Sequence, residues 1–283
     1  MHRLAAACLV VLLSGVLVVP ASAQLTEAKT APIVYGHLHL NVSDIPQMKR
    51  FWAETLGGTV ATIGTSNLEI IRFPNVLLFW RTNQPPTGGS KGTTADHLGL
   101  SVPSLEPVLA RVRANGFRVI TASEVPAAEA AQGDVVTRGA TRLAFVMGPD
   151  DAKVELVENA RQTVPVMLHH QHFMGTQNRE MRDWYAKVFG AAPRDGQFPA
   201  AQLPGVLLNF SQAAAPVVAT QGRVYDHIGF EVRGLEAFCK ALEAQGISLT
   251  VSYRRIAALD TAIAFVTDPW GTSIELSEGL AKF

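Results

Sequence analysis

Histidines inside strand-like apolar runs are the residues of this chain with the clearest chemistry to offer. The stretch DHLGL, Asp96 to Leu100, recurs far downstream as DHIGF, Asp226 to Phe230, with the Asp, the His and the Gly in register. Two more histidines, His37 in YGHLHLN and His170 in LHHQHFMG, sit in similar alternating runs. Two acids share this setting. Glu155 in KVELVE and Glu275 in SIELSE lie between apolar residues, whereas Glu158 and Glu278 fall at strand ends. A carboxylate among apolar neighbours is costly to bury unless a partner or a metal compensates it. In-strand imidazoles and acids in both halves therefore imply a common compensating charge. One such histidine alone would read as a hydrogen-bonded core residue.

Stepping along the chain, each of these histidines opens a unit of the same kind. An alternating strand is followed by a turn, a helix of 3.6-residue periodicity and a glycine stop at Gly57, Gly116, Gly190 or Gly246, 19 or 20 residues after the histidine. Strand-like runs follow each helix: TVATIG, LEIIRF and VLLFWRT; then FRVI, RLAFVMG and KVELVE; then QLPGVLLNFS; then SLTVSY, AIAFVTD and SIELSE. A longer loop from Thr121 to Thr141 interrupts the second unit. QPPTGGSKGTT links the first two units and ENARQTVP, Glu158 to Pro165, links the halves. The chain thus holds four repeats of strand, helix and two or three strands.

The strand histidine, the FW or WY pair running into LG or FG, the DH strand and the DPxG turn before I-E-L resemble the vicinal oxygen chelate superfamily. Its members include glyoxalase I, fosfomycin-resistance proteins and extradiol ring-cleavage dioxygenases. The resemblance runs from about Pro32 to Glu278. It implies an α+β fold of four βαβββ modules paired into two tandem cup-shaped half-barrels, each around one divalent metal. The expected boundaries are a signal peptide over 1–23, a first domain over 32–160 and a second over 165–279. The family's ligand positions fall on His37, His97 and Glu155 in the first half and on His170, His227 and Glu275 in the second. Such a set leaves open positions on the ion and suits Fe(II) or Mn(II), with Zn(II), Ni(II) and Co(II) as further candidates. PDDAKVEL replaces the DPxG turn in the first half, a change that concerns the hairpin rather than the ligand.

Alternation puts His39 on the face of His37 and His172 on the face of His170, so these two are the candidates for substrate-facing or supporting roles, and either could replace its neighbour as ligand. His169 is expected on the opposite face. The fourth acid ligand implied by glyoxalase I is missing: its position is read as Leu78 in the first half and Asn209 in the second. The tyrosine implied by ring-cleaving dioxygenases falls on Phe145 and Phe265, and no histidine lies between His227 and Glu275. Tyr253, Arg254 and Arg255 are candidates to anchor an anionic or phenolic substrate, and Trp80, Trp184 and Trp270 are read as core or rim. The expected activity is that of a metal-dependent lyase, isomerase or dioxygenase acting on a small oxygen-chelating molecule. The alternative is a non-catalytic binding or sequestration protein, as in bleomycin-resistance relatives of the same fold.

The remaining features bound the setting. His2 and Arg3, an apolar run, Pro20 and Ala21-Ser22-Ala23 form a secretory signal with Gln24 as the mature start, which predicts export. Of 24 basic and 24 acidic residues only Arg3 leaves with it, so no charge excess favours nucleic acid or an anionic membrane. Cys8 leaves too, and Cys239 alone cannot form an intrachain disulfide. Hydrophobic residues make up 48% of the chain, enough to place stability in an ordinary core.

Overall fold

The computed structural model describes Leu25 and residues 31–81, 84–130, 132–196 and 198–283; the expected signal segment lies outside them. No helix among the described residues is long and apolar enough to cross a membrane. Four modules follow one another. The first has β1 (Ile33–Asn41), α1 (Ile45–Lys49), which continues as a π-helical turn through Thr55, then β2 (Thr59–Ile63), β3 (Leu68–Phe73) and β4 (Val76–Arg81). The second has β5 (Ala95–Val102), α2 (Leu105–Ala114), β6 (Arg118–Val119), two short helices α3 (Thr121–Glu124) and α4 (Ala127–Ala130), β7 (Val136–Arg138), β8 (Thr141–Met147) and β9 (Lys153–Glu158). The third comprises β10 (Met167–Gly175), α5 (Asn178–Phe189), β11 (Ala192–Arg194), β12 (Ala200–Leu203) and β13 (Val206–Gln212). The fourth comprises β14 (Tyr225–Val232), α6 (Leu235–Ala244), β15 (Leu249–Ile256), β16 (Thr261–Thr267) and β17 (Ser273–Glu278).

Local chemistry explains these elements. Asp44 caps α1 by accepting from the Gln47 N–H at 2.9 Å, and Pro46 fits the first turn, where no backbone donor is needed. In α5 the spacing of Met181, Tyr185, Val188 and Phe189 gives one buried stripe, and Gly190 ends the helix in the left-handed conformation. The strands alternate between a face packed on the helices and a face turned to a concavity.

The modules form two sheets, but not from contiguous halves. The order of the eight-stranded sheet is β15-β16-β17-β14-β1-β4-β3-β2, which joins the first module to the fourth. The nine-stranded sheet runs β11-β12-β13-β10-β5-β9-β8-β6, with β7 on β8, and joins the second module to the third. The stretches 32–160 and 165–279 are therefore not the two cups. The repeats alone could not reveal this, because all four first strands carry interchangeable patterns, and a ladder of the first with the second would satisfy them equally. The connectors decide. The segment after Arg81 leaves one sheet for the other and the segment after Gln212 returns, and they zip together: Thr87 N–H donates to Gly222 O at 2.8 Å, Thr94 N–H to Val218 O at 3.0 Å and Val224 N–H to Gly88 O at 3.0 Å.

One continuous core spans both sheets, including Tyr35, Trp52, Phe173, Tyr185, Phe210, Tyr225 and Phe230. Polar bridges cross it where backbone groups would otherwise be orphaned. Asn75, in the β3–β4 turn, accepts from Leu168 N–H at 2.7 Å and donates to Leu168 O at 3.0 Å, and Tyr35 Oη donates to Gln171 at 3.0 Å. Asn75→Ala is expected to cost about 1–3 kcal/mol by leaving the Leu168 backbone unsatisfied. Urea unfolding checks this as a lower midpoint at unchanged slope.

Candidate functional site

The ladder between first strands builds each site. In the β1–β14 pair, His37 lies opposite Gly229 and His39 opposite His227; in the β10–β5 pair, His170 lies opposite Gly99 and His172 opposite His97. The third component comes from the parallel neighbour, where Glu275 is level with Gly229 and Glu155 with Gly99. Two groups result. His97, Glu155 and His170 converge with His172 in the nine-stranded sheet, and His37, His227 and Glu275 converge in the other, with ligand atoms all within 4.8 Å of one another. All six sequence candidates are thus gathered, but regrouped. The expected sets His37–His97–Glu155 and His170–His227–Glu275 do not form, because the cups pair outer with outer and inner with inner modules.

The DH-x-G pattern now has a physical account. Asp96 Oδ1 lies 2.7 Å from His97 Nδ1 and Asp226 Oδ1 lies 2.7 Å from His227 Nδ1, which turns each Nε2 toward the glutamate. Carboxylate partners of this kind fix the orientation of metal-ligating imidazoles. The glycine makes room for the second ring. A Cβ on Gly99 would come within 2.1 Å of the His170 ring, and one on Gly229 within 2.0 Å of the His37 ring. Neither the orienting acid nor the glycine figures among the sequence candidates; their recurrence in register with the histidine was the available signal.

The spacing of the donor atoms suits one ion. His97 Nε2 and His170 Nε2 lie 3.0 and 3.3 Å from Glu155 Oε2, and His227 Nε2 and His37 Nε2 lie 2.9 and 3.4 Å from Glu275 Oε2. Donors bound to one cation at roughly 2.1 Å are roughly 3.0 Å apart at right angles and roughly 3.4 Å at the tetrahedral angle. The Nε2 of His170 is buried near Glu155 without the alignment of a hydrogen bond and has no other partner. Burial by itself would raise the Glu155 carboxyl, but the nearby His170 and the hydrogen bond with His97 hold it well below the usual range. Glu275 is lowered likewise, against its burial, by His37 and His227. Burial would lower His97 and His227, yet hydrogen bonds to Asp96 with Glu155, and to Asp226 with Glu275, raise both. These are ionised acids facing imidazole nitrogens, a donor set into which a divalent cation fits.

Each group lies at the floor of a cavity. The larger cup, about 900 Å³, is lined near the donors by Phe145, Lys153, His172, Asn209 and Ser211. Lys153 Nζ donates to Asp96 at 2.6 Å and pairs with Glu124 at 2.9 Å; Glu124 comes from the interrupting segment after β6, which sequence reading treated as a plain loop. The smaller cup, about 460 Å³, has apolar walls at Phe79, Ile263, Phe265 and Leu280 with Arg81 and Arg254 lining it as well.

Three placements differ from expectation. Leu78 is fully buried on the core face; the parallel register sets Phe79, not Leu78, beside His39, as Asn209 is beside His172. A one-residue shift along a strand exchanges its faces, but Phe79 can no more bind a metal than Leu78. His169 does not face away: a register shift between Leu168 and His170 turns it to the larger cup, with Nδ1 2.8 Å from His170 Nδ1. Tyr253 packs against the core and Arg255 pairs with Asp260, so of that trio only Arg254 lines a cup. Trp80, Trp184 and Trp270 line neither cup.

No protein-family model matches the chain, and no curated protein matches it in sequence. Solved structures do. A single-residue mutant of glyoxalase I from Zea mays superposes with a TM-score of 0.66 at 16% identity, covering 93% of this chain and 98% of that one. Unmutated Zea mays glyoxalase I gives 0.63 at 16% identity over 88% and 94%. A candidate dioxygenase from Bacillus subtilis subsp. subtilis str. 168 gives 0.60 at 13% identity over 87% and 86%. The chain has the vicinal oxygen chelate fold. Within that fold, its two His/Glu groups are candidate divalent-metal sites, and the glycines opposite His37 and His170 are specific requirements. Gly99→Ala is expected to abolish metal binding in the larger cup alone and Gly229→Ala in the smaller cup alone, read as loss of one metal equivalent each by elemental analysis of folded protein.

Proposed function

We propose that the protein is an exported, divalent-metal-dependent enzyme of the vicinal oxygen chelate type, acting on a small molecule that presents two adjacent oxygens. The reaction is of the lyase, isomerase or dioxygenase kind. The observation that carries this reading is the convergence, at the floor of each cavity, of two oriented imidazoles and one carboxylate at 2.9–3.4 Å. A metal-free binder has no need of six such donors.

A bound divalent ion would act as a Lewis acid toward substrate oxygens, with Fe(II) or Mn(II) the favoured occupants. The chain's own residues supply the rest. Asp96 and Asp226 hold the histidine rings in place. His39 lines the smaller cup beside the donor group and is the candidate proton acceptor there. Phe79, Ile263 and Phe265 exclude water there. With Phe79 and Asn209 at the position of a fourth acid, the glutathione-dependent glyoxalase reaction is disfavoured. Phe145 and Phe265, each paired across the sheet with its cup's glutamate, carry no hydroxyl to move protons in the usual ring cleavage. The signal-like first 23 residues support export, and a formal net charge of +0 supports a small-molecule rather than a nucleic-acid partner.

Metal analysis of the protein lacking residues 1–23, after anaerobic reconstitution with Fe(II) or Mn(II), is the test. About two equivalents are expected, falling to about one in His97→Ala and in His227→Ala. No binding of any divalent metal would overturn the reading in favour of a metal-free sequestration protein.

A further inference from the structure

The two cups come from repeats of one pattern, yet one residue pair behaves differently in them. His172 and His39 hold the same register position, two residues after the ligand histidine and opposite the DH histidine of the partner strand. In the larger cup His172 is 8% exposed, and a ring nitrogen lies within 4.8 Å of the donor atoms of His97, His170 and Glu155. Its Nε2 is engaged by Ser211 Oγ at 2.8 Å, and its Nδ1 is buried with no partner at all. In the tautomer whose Nε2–H donates to the Ser211 hydroxyl, Nδ1 carries the lone pair. In the smaller cup His39 is outside the converging group and stacks on Phe79 at 6.0 Å and 25°.

Register explains the difference. Asn209 and Ser211 on β13 correspond to Phe79 and Arg81 on β4. Where the larger cup has a hydroxyl to hold the far nitrogen of the ring, the smaller has a guanidinium whose charge opposes a second cation nearby. Where the larger cup has a small amide, the smaller has a phenyl ring that stacks with the imidazole.

We infer that His172 is a fourth metal ligand in the larger cup, making it a three-histidine, one-glutamate centre, while the smaller cup keeps a two-histidine, one-glutamate centre. The inference rests on the metal-centre reading above and deepens it. On a six-coordinate ion the larger centre has two positions left, sufficient for the adjacent oxygens of one substrate. The smaller centre has three, room for the same chelate and one further small ligand. The cups are therefore suited to different reactions rather than being two copies of one active site.

Cobalt(II) titration separates the possibilities. In a His227→Ala protein only the larger centre remains. Adding His172→Ala to it is expected to weaken cobalt binding at least about tenfold and to shift the visible absorption band, while Arg138→Ala, in the same cavity but paired with Glu129 away from the donors, leaves both unchanged. Ser211→Ala, which frees the ring without removing it, is expected to give a smaller loss in the same direction and guards against a folding defect in the His172 variant. Affinity and spectrum unaltered by His172→Ala, or altered equally by Arg138→Ala, would overturn the inference. If the His227→Ala protein binds no cobalt while wild type binds none either, the failure is that of the metal-centre reading itself.

Discussion

Two antiparallel ladders, β1 with β14 and β10 with β5, set the position of every group that matters. Each is held in a register that sets one module's ligand histidine against the other module's glycine. A Cβ at that glycine would overlap the ring, so the ladder and the site tolerate the same residue for the same reason. A slip by one residue would turn the imidazoles into the helix-packed core and bring apolar side chains to the cavity. The geometry of the donor groups is thus a consequence of strand pairing, not of loops arranged around a ligand.

Burial then makes the chemistry. Glu155 is 8% exposed and the Glu275 side chain 14%, and burial alone would favour the neutral form of both. They stay ionised beside the imidazoles, of which His97 and His227 are each fixed by an aspartate that is itself satisfied. Asp226 accepts from Gly222 N–H at 2.8 Å and from Asn41 at 3.0 Å; Asp96 accepts from Gly92 N–H at 2.8 Å and from Lys153 at 2.6 Å. Both aspartates are held below the ordinary range despite burial, chiefly by the hydrogen bond to their histidine. The larger cup adds the charged Lys153 where the smaller has Ser273, level with it at the start of the last strand.

Much of this was legible in the sequence where the signal was local and repeated. The four modules, their helix stops and the in-strand histidines and glutamates could be read because each recurs at a fixed spacing. The partnership of modules could not, since interchangeable first strands leave it to the two long connectors, whose mutual hydrogen bonds are tertiary. Phe79 was missed by one residue because VLLFWR is apolar on both faces, so alternation gives no phase. His169 was misplaced because a bulge breaks the period of two just where alternation was assumed. Lys153 and Glu124 meet only through the folding of the segment between β6 and β8, which carries no periodic pattern.

The central claim is that each centre is shared between modules distant in sequence, the first with the fourth and the second with the third. Counting metal equivalents in two double variants tests it most directly. With the smaller centre already lost through His227→Ala, adding His37→Ala should leave the remaining equivalent in place, and adding His170→Ala should remove it. The reverse, loss with His37→Ala and retention with His170→Ala, would contradict the account.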